Sequence, residues 1–179
     1  MLDQLLQNIN KLKYFIIINA IIYFFVLIIC IYGSCTLNIT ESYSDNQPSY
    51  TELLLNNSSV FLLLLFGNLI FGIGGSLLLL INGLYHGISM GVYIGDNNLY
   101  SLLIKILPYG FLEICSLLTA ASVGQYIFFL YWKGFNKEKS IGNKIRIKKL
   151  IIGSYSNLVF GLFLLILSSL IEYLVYNRG

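Results

Sequence analysis

Three long apolar stretches constrain the fold of this chain more than any other feature of its sequence. A helix rises about 1.5 Å per residue, so about 20 apolar residues cross the roughly 30 Å hydrocarbon core of a bilayer. Residues 14–32 and 150–175 are each long enough for one crossing, and a third apolar region runs through residues 60–131. Apolar residues make up 57% of the chain and charged residues only 11%, against about 25% charged in globular domains. The sequence therefore predicts an all-α membrane protein, and excludes a disordered or disulfide-rich secreted chain.

The basic residues are distributed unevenly, and this predicts how the chain is oriented, because cytoplasmic helix ends carry the excess of Lys and Arg. Lys11 and Lys13 precede the first apolar stretch, whereas residues 33–57 contain no Lys or Arg. Seven of the 11 basic residues lie within residues 132–149: Lys133, Lys137, Lys139, Lys144, Arg146, Lys148 and Lys149. We predict a multi-pass cell membrane protein with a cytoplasmic N-terminus, an outer loop at 33–57 and a cytoplasmic basic loop at 132–149.

This orientation limits the number of crossings, because a chain that starts inside and is inside again at Lys133 crosses an even number of times in between. We predict a polytopic transmembrane helix bundle of about five crossings, at residues 14–32, 58–73, 76–95, 108–131 and 150–175, with the C-terminus outside. The turn between the second and third helices is expected near Gly72, Gly74 and Gly75, because glycine tolerates the backbone angles of a reversal. Only about 16 or 17 residues are left for each arm, so one arm is expected to be either short or re-entrant.

The third predicted helix carries a ladder of glycines at intervals of four residues: Gly83, Gly87, Gly91 and Gly95. Helices in a bilayer gain little from burying apolar area against each other, so small residues that allow close backbone approach drive their packing. We expect another helix to lie in this groove. Our expectation is that the small face of the fourth helix, which carries Gly124, fills it.

A second stripe on the same helix is polar and faces mostly away from the glycines, since each residue turns the helix by about 100°. It consists of Asn82, His86, Ser89 and Tyr93. Such side chains either cross-link helices through hydrogen bonds or line a polar cavity or contact site.

The residues from Gly87 to Gly91 spell the G-x-S-x-G pattern of serine hydrolases around Ser89. That pattern works on a sharp strand-to-helix turn, whereas both glycines here belong to a helical ladder. The single histidine and the three cysteines show no metal-ligand spacing. We therefore predict no catalytic residue, no metal, no cofactor and no enzymatic activity.

The fourth predicted helix begins near Pro108 and places Glu113 about one turn below its outer end, with no basic neighbour in sequence. A carboxyl group there is either buried and protonated, or ionised towards an aqueous vestibule or the outer headgroups. Packing of this helix on the glycine ladder would place Glu113 level with Gly91, with His86 a turn or more deeper.

At these residues the chain resembles the stage II sporulation protein M family of polytopic membrane proteins, over roughly residues 60–131. The resemblance rests on these positions: Asn68, Asn82, Gly83, Leu107, Pro108, Gly110, Glu113 and Gly124. It implies a non-enzymatic membrane component with five crossings. The role it implies is a scaffold or accessory subunit for peptidoglycan-remodelling partners of the envelope, or alternatively a component for export of, or self-immunity to, a circular bacteriocin or similar peptide.

The two roles imply different partners. A scaffold contacts other membrane or envelope proteins and should leave small-residue grooves exposed, whereas an export component works with an ATPase and should show a continuous polar cavity from Asn82 to Glu113. Membrane lipids surround the helices in both cases, a homo-oligomer is compatible with both, and neither implies nucleic acid.

Overall fold

The fold is seen in a computed structural model, which describes residues 2–37, 48–95, 99–136 and 141–177. Its long helices are α1 (Leu2–Leu37), α2 (Tyr50–Phe71), α3 (Gly74–Gly95), α5 (Leu107–Asn136) and α6 (Ile141–Tyr176). A three-residue helix, α4 (Leu99–Ser101), and a π-helical segment, Leu102–Ile106, lead directly into α5. The described part of the chain contains no strand.

Each of the five long helices contains a segment long and apolar enough to cross a membrane. These segments are Leu12–Leu37, Tyr50–Phe71, Gly74–Gly95, Leu107–Trp132 and Ile152–Tyr176. The chain is thus a multi-pass transmembrane helix bundle, as the sequence predicts. We call the side of the bundle that holds the turn between α2 and α3 the first side. The opposite side, where α5 begins and α6 ends, is the second side.

The turn between α2 and α3 is two residues long. Gly72 adopts the left-handed conformation, with φ of 73°, and its N–H donates to the Asn68 carbonyl oxygen at 2.8 Å. A β-carbon at Gly72 would also collide with the Phe128 ring, so the turn requires glycine for two reasons. Both arms of the hairpin have 22 residues, more than the roughly 16 or 17 that the sequence left for each, so each is long enough to cross the membrane.

The second helix is longer than predicted because it begins at Tyr50 rather than near residue 58. Ser49 and Glu52 form a capping box: the Glu52 N–H donates to the Ser49 hydroxyl at 3.3 Å, and the Ser49 N–H donates to the Glu52 carboxylate at 2.7 Å. Two backbone donors that the helix cannot satisfy itself are thereby satisfied. The predicted outer loop, 33–57, is shortened accordingly, since α1 also continues to Leu37; residues 38–47 lie outside the described part of the chain.

Much of the predicted basic loop, 132–149, is helical instead. The fifth helix element, α5, continues to Asn136, and α6 begins at Ile141, with residues 137–140 outside the described chain. Lys and Arg are good helix formers, and no proline interrupts this segment. Helix α6 therefore starts well before its membrane-spanning part, which begins at Ile152.

The glycine ladder of α3 packs against α1 and not against α5, which corrects our expectation. A β-carbon at Gly87 would lie 2.7 Å from the Leu27 carbonyl oxygen, and one at Gly91 would lie 2.8 Å from the Ile31 carbonyl oxygen. Both contacts are too short for any side chain, so the backbones of α1 and α3 approach as closely as glycine allows. At Gly95 no described residue lies within 4 Å of a β-carbon, so the described part of α1 does not pack on the ladder there.

The small face of α5 packs against α2. A β-carbon at Gly124 would lie 2.5 Å from the Leu65 carbonyl oxygen and 3.0 Å from the Asn68 β-carbon. Ser116 and Ala120 on the same face are fully buried. Helical periodicity identifies which face is small, but two helices with small faces need not be each other's partners.

The core of the bundle lies around α5, which contacts α2, α6 and α1. Its fully buried apolar side chains include Tyr23, Phe61, Leu64, Leu79, Leu117 and Leu165. The exposed faces of the other helices are also apolar, as in Ile21, Phe66 and Phe163, which is what a lipid environment requires.

Candidate functional site

A cavity of about 290 Å³ lies among α2, α3, α5 and α6, towards the second side of the bundle. Its polar lining comes from all four helices: Asn56 and Asn57 from α2, His86, Ser89 and Tyr93 from α3, Tyr109 and Glu113 from α5, and Glu172 and Tyr176 from α6. Apolar side chains such as Met90 and Ile114 complete the wall. The polar stripe of α3 therefore lines a cavity along part of its length.

His86 connects three helices beside this cavity. Its Nδ1 atom is hydrogen-bonded to the hydroxyl of Tyr23 on α1, and its Nε2 atom lies 3.7 Å from Glu113 Oε1 on α5. A neutral imidazole has one donor and one acceptor nitrogen, so a Tyr23 hydroxyl that donates to Nδ1 leaves Nε2–H directed to the carboxyl group. Both side chains are largely buried, with 26% of His86 and 12% of Glu113 exposed.

Glu172 supplies a second carboxyl group from α6. It is hydrogen-bonded to Asn57, and it lies close enough to Glu113 for the two carboxyl groups to interact electrostatically. The Asn57 amide also donates to the Ser169 hydroxyl at 3.3 Å, which joins α2 to α6 next to the cavity. Sequence reasoning missed Glu172 as a site residue. The available signal was an ionisable side chain within an apolar spanning helix, where it is costly unless it has a function.

Tyrosines form much of the remaining polar wall. Tyr109 follows Pro108 in the first turn of α5 and shares a hydrogen bond with Tyr176, the last residue of α6. Tyr93 contributes from α3. Tyr93 belongs to the polar stripe that the sequence predicts, whereas Tyr109 and Tyr176 follow from no motif. Tyrosine is common at membrane interfaces, so the sequence gives no signal that separates those two from the other tyrosines.

The structure brings together four of the predicted site residues and separates the others. His86, Ser89, Gly110 and Glu113 line the cavity. Asn82 does not, because its side-chain amide donates to the Leu78 carbonyl oxygen of its own helix at 2.9 Å. Pro108 is exposed in the first turn of α5.

The predicted depths placed Ser89 and Tyr93, and not His86, within reach of Glu113, yet the His86 Nε2 atom lies 3.7 Å from Glu113 Oε1. The estimate counted only the rise along each helix. Helices in membranes are tilted, commonly by about 20°, and both side chains are long enough to close a gap of several ångströms.

Asn68 belongs to a separate, structural site near the first side. Its side-chain N–H donates to the Ala121 carbonyl oxygen of α5 at 2.9 Å, and its Oδ1 accepts from the Ser76 N–H of α3 at 3.2 Å. The side chain is fully buried. It therefore fixes the hairpin of α2 and α3 against α5.

A second polar network near the first side was not predicted. Asn19 of α1 donates to Ser122 at 3.1 Å and to Gln125 at 2.9 Å, and it accepts from the Ser76 hydroxyl at 3.3 Å. The network joins α1, α3 and α5 through neutral groups that satisfy one another. Such interhelical hydrogen bonds are worth about 0.6 kcal/mol each on average, so we assign them to the packing of the bundle.

Neither a metal-binding group nor a base for the serine-hydrolase pattern is seen in the described part of the chain. No group of three His, Cys, Asp or Glu side chains is placed to hold a metal ion there. Both ring nitrogens of His86 face Tyr23 and Glu113, which leaves neither as a base for Ser89.

Comparison with known proteins extends the resemblance beyond residues 60–131. The family model for stage II sporulation protein M matches residues 12–175, a range that includes almost all of the five membrane-spanning segments. No curated protein and no solved structure matches the chain.

Proposed function

Since the chain belongs to the stage II sporulation protein M family, we propose that it acts as a non-enzymatic scaffold or accessory subunit in the cell membrane, where it holds peptidoglycan-remodelling partners of the envelope. The proposed contact is on the second side of the bundle. That side faces outwards if the N-terminus is cytoplasmic, as the basic residues predict.

The observation that carries this proposal is the position of the polar cavity. Glu172 lies four residues before the end of α6, and Glu113 lies six residues after the start of α5. At about 1.5 Å per residue these carboxyl groups are only about 6 and 9 Å inside the helix ends on the second side. A partner that approaches from outside can therefore reach them with a side chain.

The scaffold does not present the small-residue grooves that we expected of it. Helix α1 occupies the glycine ladder at Gly83, Gly87 and Gly91, and α2 occupies the groove at Gly124. We therefore assign partner contact to the cavity. The engagement of both His86 ring nitrogens supports a binding role over a catalytic one.

Export of, or self-immunity to, a circular bacteriocin or similar peptide, with an ATPase partner, is a second candidate, and the polar cavity also favours it. A transport path should continue through the bundle. Here the cavity does not include Asn82, which bonds to its own helix, and the fully buried Leu79 and Leu117 occupy the core nearby. We therefore prefer the scaffold.

Site-specific photocrosslinking in cells that express the protein from its own locus tests the proposal. A photoreactive residue at Asn56, which is exposed and lines the cavity, should capture a peptidoglycan-modifying protein. The matched control is Phe71, which is exposed at the opposite end of the same helix and should not capture it. Capture of a peptide precursor and an ATPase instead would favour export. Equal capture at both positions would contradict a contact on the second side.

A further inference from the structure

Two carboxyl groups, those of Glu113 and Glu172, face the cavity, and none of the described lining residues is a lysine or arginine. Among the described lining residues the basic side chain is His86, which already contacts Tyr23 and Glu113. A buried charge is costly unless a counter-charge with good geometry accompanies it. The cavity is therefore suited to a cation from outside the bundle.

The tyrosines indicate which kind of cation fits. Tyr93, Tyr109 and Tyr176 line the cavity together with the carboxyl groups. Aromatic faces attract ammonium groups, and an ammonium group carries three N–H donors that carboxylate and hydroxyl oxygens can accept. The described residues provide no set of three metal-binding side chains here. An organic ammonium group is thus a better match than a metal ion.

The size and location of the cavity favour a side chain over a free ion. A volume of about 290 Å³ is far larger than one ammonium ion requires, since a water molecule takes up about 30 Å³ in the liquid. The wall extends from Glu113 to Tyr176 and Ile106, close to the helix ends on the second side. Lysine carries a compact charge on a flexible four-carbon stem, which can enter between four helices along their axes.

We propose that this cavity binds the ammonium group of a lysine side chain that an envelope partner inserts from the second side. The inference rests on the proposed scaffold function and names the recognition element of its partner. Glu113 and Glu172 accept hydrogen bonds from the ammonium group, and the tyrosine rings enclose it. His86 holds Glu113 in position through its Nε2 atom.

A binding experiment on the full chain in a non-ionic detergent tests this proposal. The probe is Nα-acetyl-lysine methylamide, and its control is the same compound acetylated at the Nζ atom, which lacks the charge. We expect the lysine probe to raise the midpoint temperature of unfolding of the wild-type protein in a concentration-dependent manner, and the acetylated probe to leave it unchanged. Equal effects of the two probes, or no effect of either, would overturn the proposal without any variant.

Charge-matched variants then locate the site. Glu172→Gln and Glu113→Gln should weaken binding of the lysine probe about tenfold or more, because each leaves the ammonium group with one carboxylate fewer. The control is Glu52→Gln, which removes an exposed carboxylate outside the cavity and keeps a capping-box residue, since glutamine serves there as well. Wild-type affinity in the two cavity variants would show that the probe binds elsewhere.

The lipid bilayer is the other source of an ammonium group. In nanodiscs of phosphatidylethanolamine, an aminolipid that occupied the cavity would abolish binding of the lysine probe relative to phosphatidylcholine nanodiscs, and that outcome would overturn a partner's lysine as the occupant. The scaffold proposal has its own readout. Capture of an envelope partner at Asn56 together with no lysine binding would retain the scaffold and discard the recognition element.

Discussion

The Nε2 atom of His86 lies 3.7 Å from the Oε1 atom of Glu113, and this contact joins α3 to α5 at the wall of the cavity. Tyr23 extends the connection to α1 through the Nδ1 atom of the same imidazole ring. Three of the five spanning helices thus meet through three side chains. His86 and Glu113 line the cavity where we expect a partner to bind, and Tyr23 contacts His86. Substitutions of these side chains should therefore affect partner binding without preventing the bundle from folding.

Glu113→Gln should leave the bundle folded and remove partner capture. Glutamine keeps the size of the side chain and an oxygen that accepts from His86, so the free energy of unfolding should change by less than about 1 kcal/mol. It cannot supply the negative charge that a cationic group requires. Unfolding in mixed micelles and crosslinking from Asn56 are the two measurements, and capture at the wild-type level would contradict a role for the Glu113 charge.

Gly87→Ala should destabilise the bundle, whereas Gly95→Ala should not. The new β-carbon at position 87 would lie 2.6 Å from the Cys30 β-carbon and 2.7 Å from a backbone oxygen of α1, so the helices must separate. Overpacking of this kind costs about 1–3 kcal/mol. No described residue lies within 4 Å of a β-carbon at position 95, which therefore serves as the matched control. Equal stability of the two variants in mixed-micelle unfolding would disprove close packing of α1 on the ladder.

The two asparagines of the family resemblance should differ in their contribution to stability. Asn68→Ala removes two buried interhelical hydrogen bonds, one to the Ala121 carbonyl and one from the Ser76 N–H, and each is worth about 0.5–1.5 kcal/mol net. Asn82→Ala removes only a hydrogen bond within its own helix and should change the free energy of unfolding by less than about 0.5 kcal/mol. The same unfolding assay compares them, and a larger loss at position 82 than at position 68 would contradict this ranking of the two side chains.

Accessibility labelling should establish the orientation. In a variant whose three native cysteines are replaced, a cysteine at Asp45 should react with a membrane-impermeant reagent in intact cells, and one at Lys139 should react only after lysis. The distribution of basic residues predicts this result. Both positions lie outside the described residues. Reaction at both positions in intact cells would refute the predicted topology.

Orientation matters to the functional proposal as well. If the cysteine at Lys139 reacted in intact cells and the one at Asp45 did not, the cavity would open to the cytoplasm. A peptidoglycan-remodelling partner could not then reach Glu113 or Glu172 from the envelope. That single result would overturn the scaffold proposal while leaving the description of the cavity intact.

Local sequence rules were sufficient for the properties that belong to a single helix. The apolar lengths predict an all-α bundle of about five crossings, because a bilayer requires each crossing to satisfy its own backbone hydrogen bonds within a helix. Helical spacing places the glycines of α3 on one face, and the sequence around Ser49 and Glu52 already contains the capping box that starts α2. Our late start for that helix came from following hydropathy alone and not this signal.

The tertiary structure decided which faces meet. The ladder at Gly87 and the small face at Gly124 can each accept any helix that approaches closely. Nothing in the spacing of these glycines predicts that α1 packs on the ladder and α2 on the small face. The cavity depends on the same choice, because Glu172 reaches Glu113 only when α6 packs beside α5. Periodicity is a property of one chain segment, whereas a partner is selected by the shapes and polar groups of all five helices together. Some residues of the site could therefore be predicted from the sequence, but their assembly into one cavity could not.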